Sequence, residues 1–290
     1  NMLHFLGLLF DGLAYGTLLF LISVGLSVTL GLMGFINLAH GVFAMLGGYL
    51  LVLLMGRFGI GFVAALPIIF VLVALASLVL ERTLYRPMYK STHLDQVLLT
   101  VGIIFVAVAG ATYFWGPGLQ PINIPGWMNG QLAVGSLDLS RYRLFLMAVG
   151  AVITLGLVFG LERTRFGAKV RASVERPRTA EAMGIPVERV FQITFALGSG
   201  LAGLGGALGV EVLGLDPNFP LKYLVYFLLI VVVGGPGSII GTLSAAMLLG
   251  VADTAGKYYI PETGAFLIYV MMIVLLLIFP HGLLGRRKDI

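Results

Sequence analysis

Between Gly12 and Gly56 the chain runs for 45 residues without a single Asp, Glu, Lys or Arg. As one helix, at ~1.5 Å rise per residue, this stretch would measure roughly 68 Å, about twice a ~30 Å hydrocarbon core. It must fold back at least once. The natural break is Gly31-Leu-Met-Gly34-Phe-Ile-Asn37, where two glycines and an asparagine interrupt the apolar run. Charge-free runs at Phe58 to Leu80, Gln96 to Tyr113, Leu144 to Leu161, Val190 to Val210, Tyr223 to Ala252 and Thr263 to Phe279 are each long enough to span. With 59% hydrophobic residues, 11% charged and a mean hydropathy of +1.03, no soluble domain fits. The expectation is an all-α, polytopic transmembrane helical bundle, a single domain over residues 1–290, with about eight spans and one or two broken or re-entrant helices. Tyr113, Phe114 and Trp115 close one run and Tyr258 and Tyr259 separate two others, as aromatic residues do at headgroup level. The N-terminus has no basic region ahead of a short apolar core, so it reads as a retained span and not a signal peptide. The absence of cysteine excludes disulfides and thiolate metal sites, and no metal site is expected.

One segment does not belong in lipid. From Glu162 to Arg189, 28 residues carry 11 of the protein's 31 charged residues. Within it, Arg176-Pro-Arg178-Thr179-Ala-Glu181-Ala182-Met-Gly184 is a short helix-forming run with Pro just inside its start and Gly just past its end. A compact polar helix between spans is what a membrane subunit offers to a soluble partner.

Lys and Arg concentrate at Arg82 to Lys90, Arg163 to Arg189 and Arg286 to Lys288, which places these segments in the cytoplasm. Gly116 to Ser140 holds Asp138 but no Lys or Arg, and Pro117, Pro121 and Pro125 shape it as an extended excursion on the opposite side. Parity then puts the N-terminus outside. Three simple spans after Arg189 would strand the basic C-terminal segment outside as well, so one run must cross differently. The candidate is Tyr223 to Ala252, interrupted by Gly234-Gly235-Pro-Gly-Ser238. Broken backbone at membrane depth survives only where protein buries it or water bathes it.

Glycine numbers 40 of 290 and clusters inside apolar runs. Gly198, Ala202 and Gly206, four apart, and the pair Gly205 and Gly209 suit close helix-to-helix approach. Gly198, Gly200 and Gly203 also match G-x-G-x-x-G, but no strand precedes them and the run is a span, so they are not a nucleotide site. No G-x-x-x-x-G-K-[ST] occurs, so any ATP is hydrolysed by another subunit. Asn37, His40 and Gly41 lie deep in the first apolar run. They are candidates, with Gly234, Gly235 and Ser238, for the lining of a substrate path. The alternative is that Asn37 caps a broken helix and His40 bonds a neighbouring carbonyl. Asp11, Glu211 and Asp216 read as solvated helix ends, and Asp253 with Lys257 as an i,i+4 pair.

The segment from Gly25 to Tyr49, with its Gly34-Phe-Ile-Asn-Leu-Ala-His-Gly41, resembles the permease subunits of branched-chain amino acid ABC importers, the H-type more than the M-type. So do Ala180-Glu-Ala-Met-Gly-Ile185, Phe195-Ala-Leu-Gly-Ser-Gly-Leu-Ala-Gly203 and Gly234-Gly-Pro-Gly-Ser-Ile-Ile-Gly241, in family order over most of the chain. The resemblance implies a multi-pass subunit of the bacterial cytoplasmic (inner) membrane, binding no cofactor and no nucleic acid. Its partners would be lipid, a second permease (identical or related), two cytoplasmic ATPase subunits and an extracytoplasmic substrate-binding protein. Glu181, Ala182 and Gly184 map onto that family's coupling motif, within the polar loop 162–189. The family often carries Asn-Pro before this motif, whereas here Arg176-Pro177 precedes Arg178, which makes the docking surface more basic. The cargo expected is branched-chain or other hydrophobic amino acids, the alternatives being urea or short amides. A stand-alone ion-coupled transporter is the rival class, favoured by two candidate broken helices and disfavoured by the scarcity of mid-span carboxylates. An intramembrane enzyme lacks any argued acid pair or triad.

Overall fold

The computed structural model describes residues 2–280. The first apolar run forms two helices, α1 (Met2–Met33) and α2 (His40–Phe58), separated by non-helical backbone over 34–39. Gly34, with φ +65°, makes the exit from α1 at the position where a residue with a Cβ would be strained. Helices α3 (Phe62–Leu80), α4 (His93–Trp115), α5 (Arg141–Arg163) and α8 (Val187–Leu213) match the other expected spans. Between α5 and α8 lie α6 (Arg165–Glu175) and α7 (Pro177–Ala182).

Beyond α8 come the one-turn α9 (Phe219–Lys222), α10 (Leu224–Gly234), α11 (Ile239–Tyr259) and α12 (Gly264–Ile278). Among the described residues, seven helices are long and apolar enough to cross a membrane, and α10 and α12 are shorter apolar helices. The run from Tyr223 to Ala252 is divided at Gly234–Ser238 into α10 and α11, the broken helix expected there. At 11 residues α10 reaches only about 16 Å, half a hydrocarbon core.

The break also removes the parity conflict. Gly12 faces Val251 and Gly31 faces Gly237, so α1 and α11 are antiparallel; Gly25 faces Gly198 and Ile22 faces Gly205, so α1 and α8 are antiparallel too. Gly234 lies against Gly241, folding α10 back along α11, and Leu267 packs over Gly256, folding α12 back along α11. Helix α12 therefore ends on the same side as Met33 and the start of α8, the basic face. Arg286 to Lys288 lie outside the described residues.

Helix α8 is the hub, and its glycines explain why. Gly198 and Gly205 meet α1, Gly203 and Gly206 meet the backbone of α2 at Gly47 and Ala44, and Gly200 and Gly203 meet Phe70 and Val73 of α3. Small residues permit this close approach where a hydrophobic driving force between helices is weak. The expected ridge Gly198, Ala202, Gly206 does not serve one neighbour: Gly198 faces α1 and Gly206 faces α2. At 3.6 residues per turn a four-residue step rotates by about 40°, so the face toward α1 repeats at seven.

The helical bundle carries one short surface hairpin, in which β1 (Gln131–Val134) and β2 (Leu137–Ser140) pair antiparallel, Val134 opposite Leu137. The two-residue loop between them begins at Gly135, φ +65°. Asp11 is not a helix end, since α1 begins two turns earlier; it is ion-paired with Arg143 of α5 at 3.3 Å. Helices α4 and α5 leave Phe105, Val106, Val152, Leu155 and Phe159 exposed, the surface a lipid-facing helix presents.

Candidate functional site

Thr164 starts α6 by accepting the Gly167 amide on its hydroxyl at 3.0 Å. Gly167, Val170 and Ser173 are buried while Arg165, Lys169 and Arg171 are exposed, so α6 lies with one face on the bundle. Pro177 ends it. The ring of a proline pushes the residue before it out of the helical region, and Arg176 sits at φ −144°, ψ 79°. The chain restarts at once as α7, with Pro177 in its first turn. Its end is a Schellman closure: the Ile185 amide donates to Ala180 O at 3.0 Å, the Gly184 amide to Glu181 O at 2.9 Å, and Gly184 takes φ +82°.

Arg176, Arg178, Thr179, Glu181, Ala182 and Gly184, the six coupling candidates, are all exposed on this bracket, while Ala180 is buried beneath it. Met183 at its tip is 78% exposed. It was absent from the candidates, although it is the one large apolar side chain in an otherwise polar turn.

The bracket rests on the helix break. A Cβ built on Gly237 would stand 2.6 Å from the Cγ1 of Val174, in the last turn of α6. The break itself is tied to α1: the Gly237 amide donates to Ser27 O at 2.8 Å and the Thr242 hydroxyl to Ser27 Oγ at 2.8 Å. Gly235 and Gly237 adopt φ +88° and +87°, and Ser238 caps α11 by accepting the Gly241 amide at 3.0 Å. Gly234, Gly235 and Ser238 thus form one tight turn.

The second group sits on the other side of α1. Asn37 Oδ1 accepts the Ala39 amide at 3.1 Å and the Tyr85 hydroxyl at 2.9 Å, while its Nδ2 finds no partner among the described residues. His40 Nε2 donates to Ile22 O at 2.8 Å. Gly41 faces Phe227 and Pro220. Asn37 and His40 are both buried. His40, the first residue of α2, lies level with Ile22, some eleven residues (about 16 Å) back along α1 from Met33. The segment 34–39 is therefore re-entrant. It climbs from the basic face to mid-depth before α2 begins.

Tyr85 closes a single turn of π-helix, Glu81–Tyr85, that continues α3. Beside it Arg86 Nε lies 3.0 Å from Glu188 in the first turn of α8 and 4.0 Å from the fully buried Glu81. Glu81 Oε1 also accepts the Tyr89 hydroxyl at 2.5 Å; burial, with this bond, holds the Tyr89 phenol well above its ordinary pKa and so keeps it a donor. None of Tyr85, Arg86 or Glu188 stood out in sequence, because their meaning comes from which helices meet.

At the opposite face, between the hairpin and the end of α8, a cavity of about 250 Å³ is lined by Asn129, Ser140, Tyr142, Arg143 and Glu211. Asp253 of α11 is buried and bonded to Lys257 at 2.8 Å, the expected i,i+4 pair.

A model of the family described as branched-chain amino acid transport system, permease component, matches residues 8–276. The high-affinity branched-chain amino acid transport system permease protein LivH of Escherichia coli is 27% identical over 99% of this chain and 97% of its own length. The probable branched-chain amino acid transport permease protein LivH of Methanocaldococcus jannaschii is 30% identical over 93% and 90%. The permease protein LivM of Escherichia coli is 27% identical over 92% of this chain and 68% of its own length. No solved structure matches.

Proposed function

The chain belongs to the family of permease components of branched-chain amino acid transport systems, and from that premise we propose that it is the membrane path of an ATP-driven importer for branched-chain or other hydrophobic amino acids. Partner ATPases on the basic face drive it through α6 and α7. The observation that supports this most is the seating of Val174 on Gly237. A soluble motor that grips the exposed bracket from Arg176 to Gly184 pushes on the turn that reverses α10 into α11, and through Ser27 on α1. Packed interfaces pass on such displacement as rigid-body steps. The chain has no phosphate-binding loop of its own, so the work enters through a contact.

Relatives named LivH and LivM both match more than nine-tenths of this chain, which supports pairing with a second, related permease. The polar cavity by Arg143 and Glu211 offers an extracytoplasmic binding protein complementary charge.

The test is extraction of the complex in mild detergent from the native host, reconstitution, and uptake of labelled leucine with and without ATP, urea serving as competitor. Co-purifying ATPases and ATP-dependent leucine uptake are expected. Glu181→Ala with Gly184→Val should uncouple ATP hydrolysis from uptake while the chain stays inserted. Uptake by this chain alone on an ion gradient would overturn the reading in favour of a secondary transporter, and competition by urea would reassign the cargo.

A further inference from the structure

Tyr85 is fully buried, and among the described residues its hydroxyl makes the one polar bond between the α3 side of the bundle and the re-entrant segment 34–39. Its ring is wedged among aromatic neighbours, with Phe35 of that segment at 5.2 Å and Phe195 of α8 at 5.3 Å, both between ring centres. The next residue, Arg86, holds Glu188, six residues past Ala182 at the end of α7. The backbone from α7 into α8, the Glu188–Arg86 pair and the Tyr85–Asn37 bond therefore link the polar bracket to the segment 34–39.

Three features mark this chain as able to change state. Arg86 lies between two carboxylates, 3.0 Å from exposed Glu188 and 4.0 Å from buried Glu81, so the guanidinium has a second acceptor to move toward when Glu188 withdraws. Glu81 Oε2 and Asn37 Nδ2 are both buried without a partner among the described residues, which leaves one acceptor and one donor free for an alternative arrangement. The backbone linking Glu81 to Tyr85 is a π-turn, a local departure from helix geometry that recurs at functional positions.

Resting on the importer reading above, we propose that Tyr85 is a positioning residue of the transport cycle. Its hydroxyl on Asn37 latches the re-entrant segment against α8, and the Arg86–Glu188 pair carries displacement of the α7 bracket to that latch. When the bracket moves, Arg86 shifts toward Glu81, Tyr85 follows, and the segment 34–39 is released from the basic face.

The chain has no cysteine, so a single reporter thiol reads the segment directly. Ile36→Cys, next to Asn37, is placed in the full chain in inside-out vesicles and labelled with a membrane-impermeant maleimide. Tyr85→Phe keeps the ring and removes only the hydroxyl; it should raise the labelling rate at least fivefold, and Asn37→Ala added to it should change little more. In the complex with its ATPases, a non-hydrolysable ATP analogue should raise labelling in the parent but not with Glu188→Gln, an exposed change that leaves folding intact. Labelling within twofold of the parent in Tyr85→Phe, or a full nucleotide response in Glu188→Gln, overturns the latch. The vesicle measurement needs no motor. A latch response there in a complex without ATP-driven uptake overturns the importer reading instead and leaves the latch standing.

Discussion

Val174, at the end of α6, stands over the α-carbon of Gly237, leaving no room for a Cβ between them. The contact joins the polar bracket to the helix break, and Gly237 meets it with two separate demands. Its φ of +87° is a conformation L side chains rarely adopt, and its open face receives Val174. Gly237→Ala should therefore cost about 1–2 kcal/mol for the backbone and a further ~1–3 kcal/mol for crowding. A fall in the detergent melting temperature checks this. Val174→Ala in the same background should recover part of the crowding loss and none of the backbone loss.

At the tip of the bracket, Met183 is exposed and bears no load in the fold. Met183→Asp should leave the melting temperature unchanged and weaken association with the ATPase subunits. An apolar anchor at the centre of an interface is commonly worth ~2 kcal/mol or more, about thirtyfold in affinity. Quantitative pull-down of the ATPases from the reconstituted complex measures it. Undiminished recovery would remove Met183 from the docking surface.

Asp253 and Lys257 make unequal contributions to their ion pair, the carboxylate buried and the ammonium half exposed. Among the described residues, Lys257→Ala leaves a buried carboxylate with only the 3.3 Å bond from the Tyr226 hydroxyl, and stranding a buried charge costs up to ~3–5 kcal/mol. Lys257→Ala with Asp253→Asn removes the charge too, so the double variant should be more stable than the single one. Thermal unfolding of all four chains closes the cycle, and simple additivity would show that the pair is not coupled.

What could be read in sequence was what glycine and proline dictate locally. Gly34, the Gly235–Gly237 turn, Pro177 and Gly184 each break or end a helix where their chemistry requires it, and the charge-free runs located the long spans. The division of Tyr223 to Ala252 into α10 and α11 was legible too, because Gly234-Gly235-Pro-Gly-Ser238 interrupts that apolar run. The depth of His40 against Ile22, the Arg86–Glu188 pair and the Val174–Gly237 seat depend on which helices become neighbours, which periodicity does not encode. The hairpin at 131–140 is too short and too exposed to leave a strong alternating pattern.

Helix approach supplies the last prediction, because glycines of identical propensity occupy opposite environments. Gly198 is buried with its α-carbon against Gly25 of α1, so an added methyl would meet backbone that cannot swing aside, whereas Gly156 of α5 has nothing within 4 Å of where its Cβ would stand. Helix propensity alone favours alanine over glycine at both sites by up to ~1 kcal/mol. The methyl at Gly156 should add that gain or nothing, while at Gly198 it must force α1 and α8 apart, and overpacking of ~1–3 kcal/mol outweighs propensity. Gly198→Ala should lower the melting temperature and Gly156→Ala leave it level or slightly raised. Equal effects at the two sites would mean that α8 is not packed on α1 through its glycines.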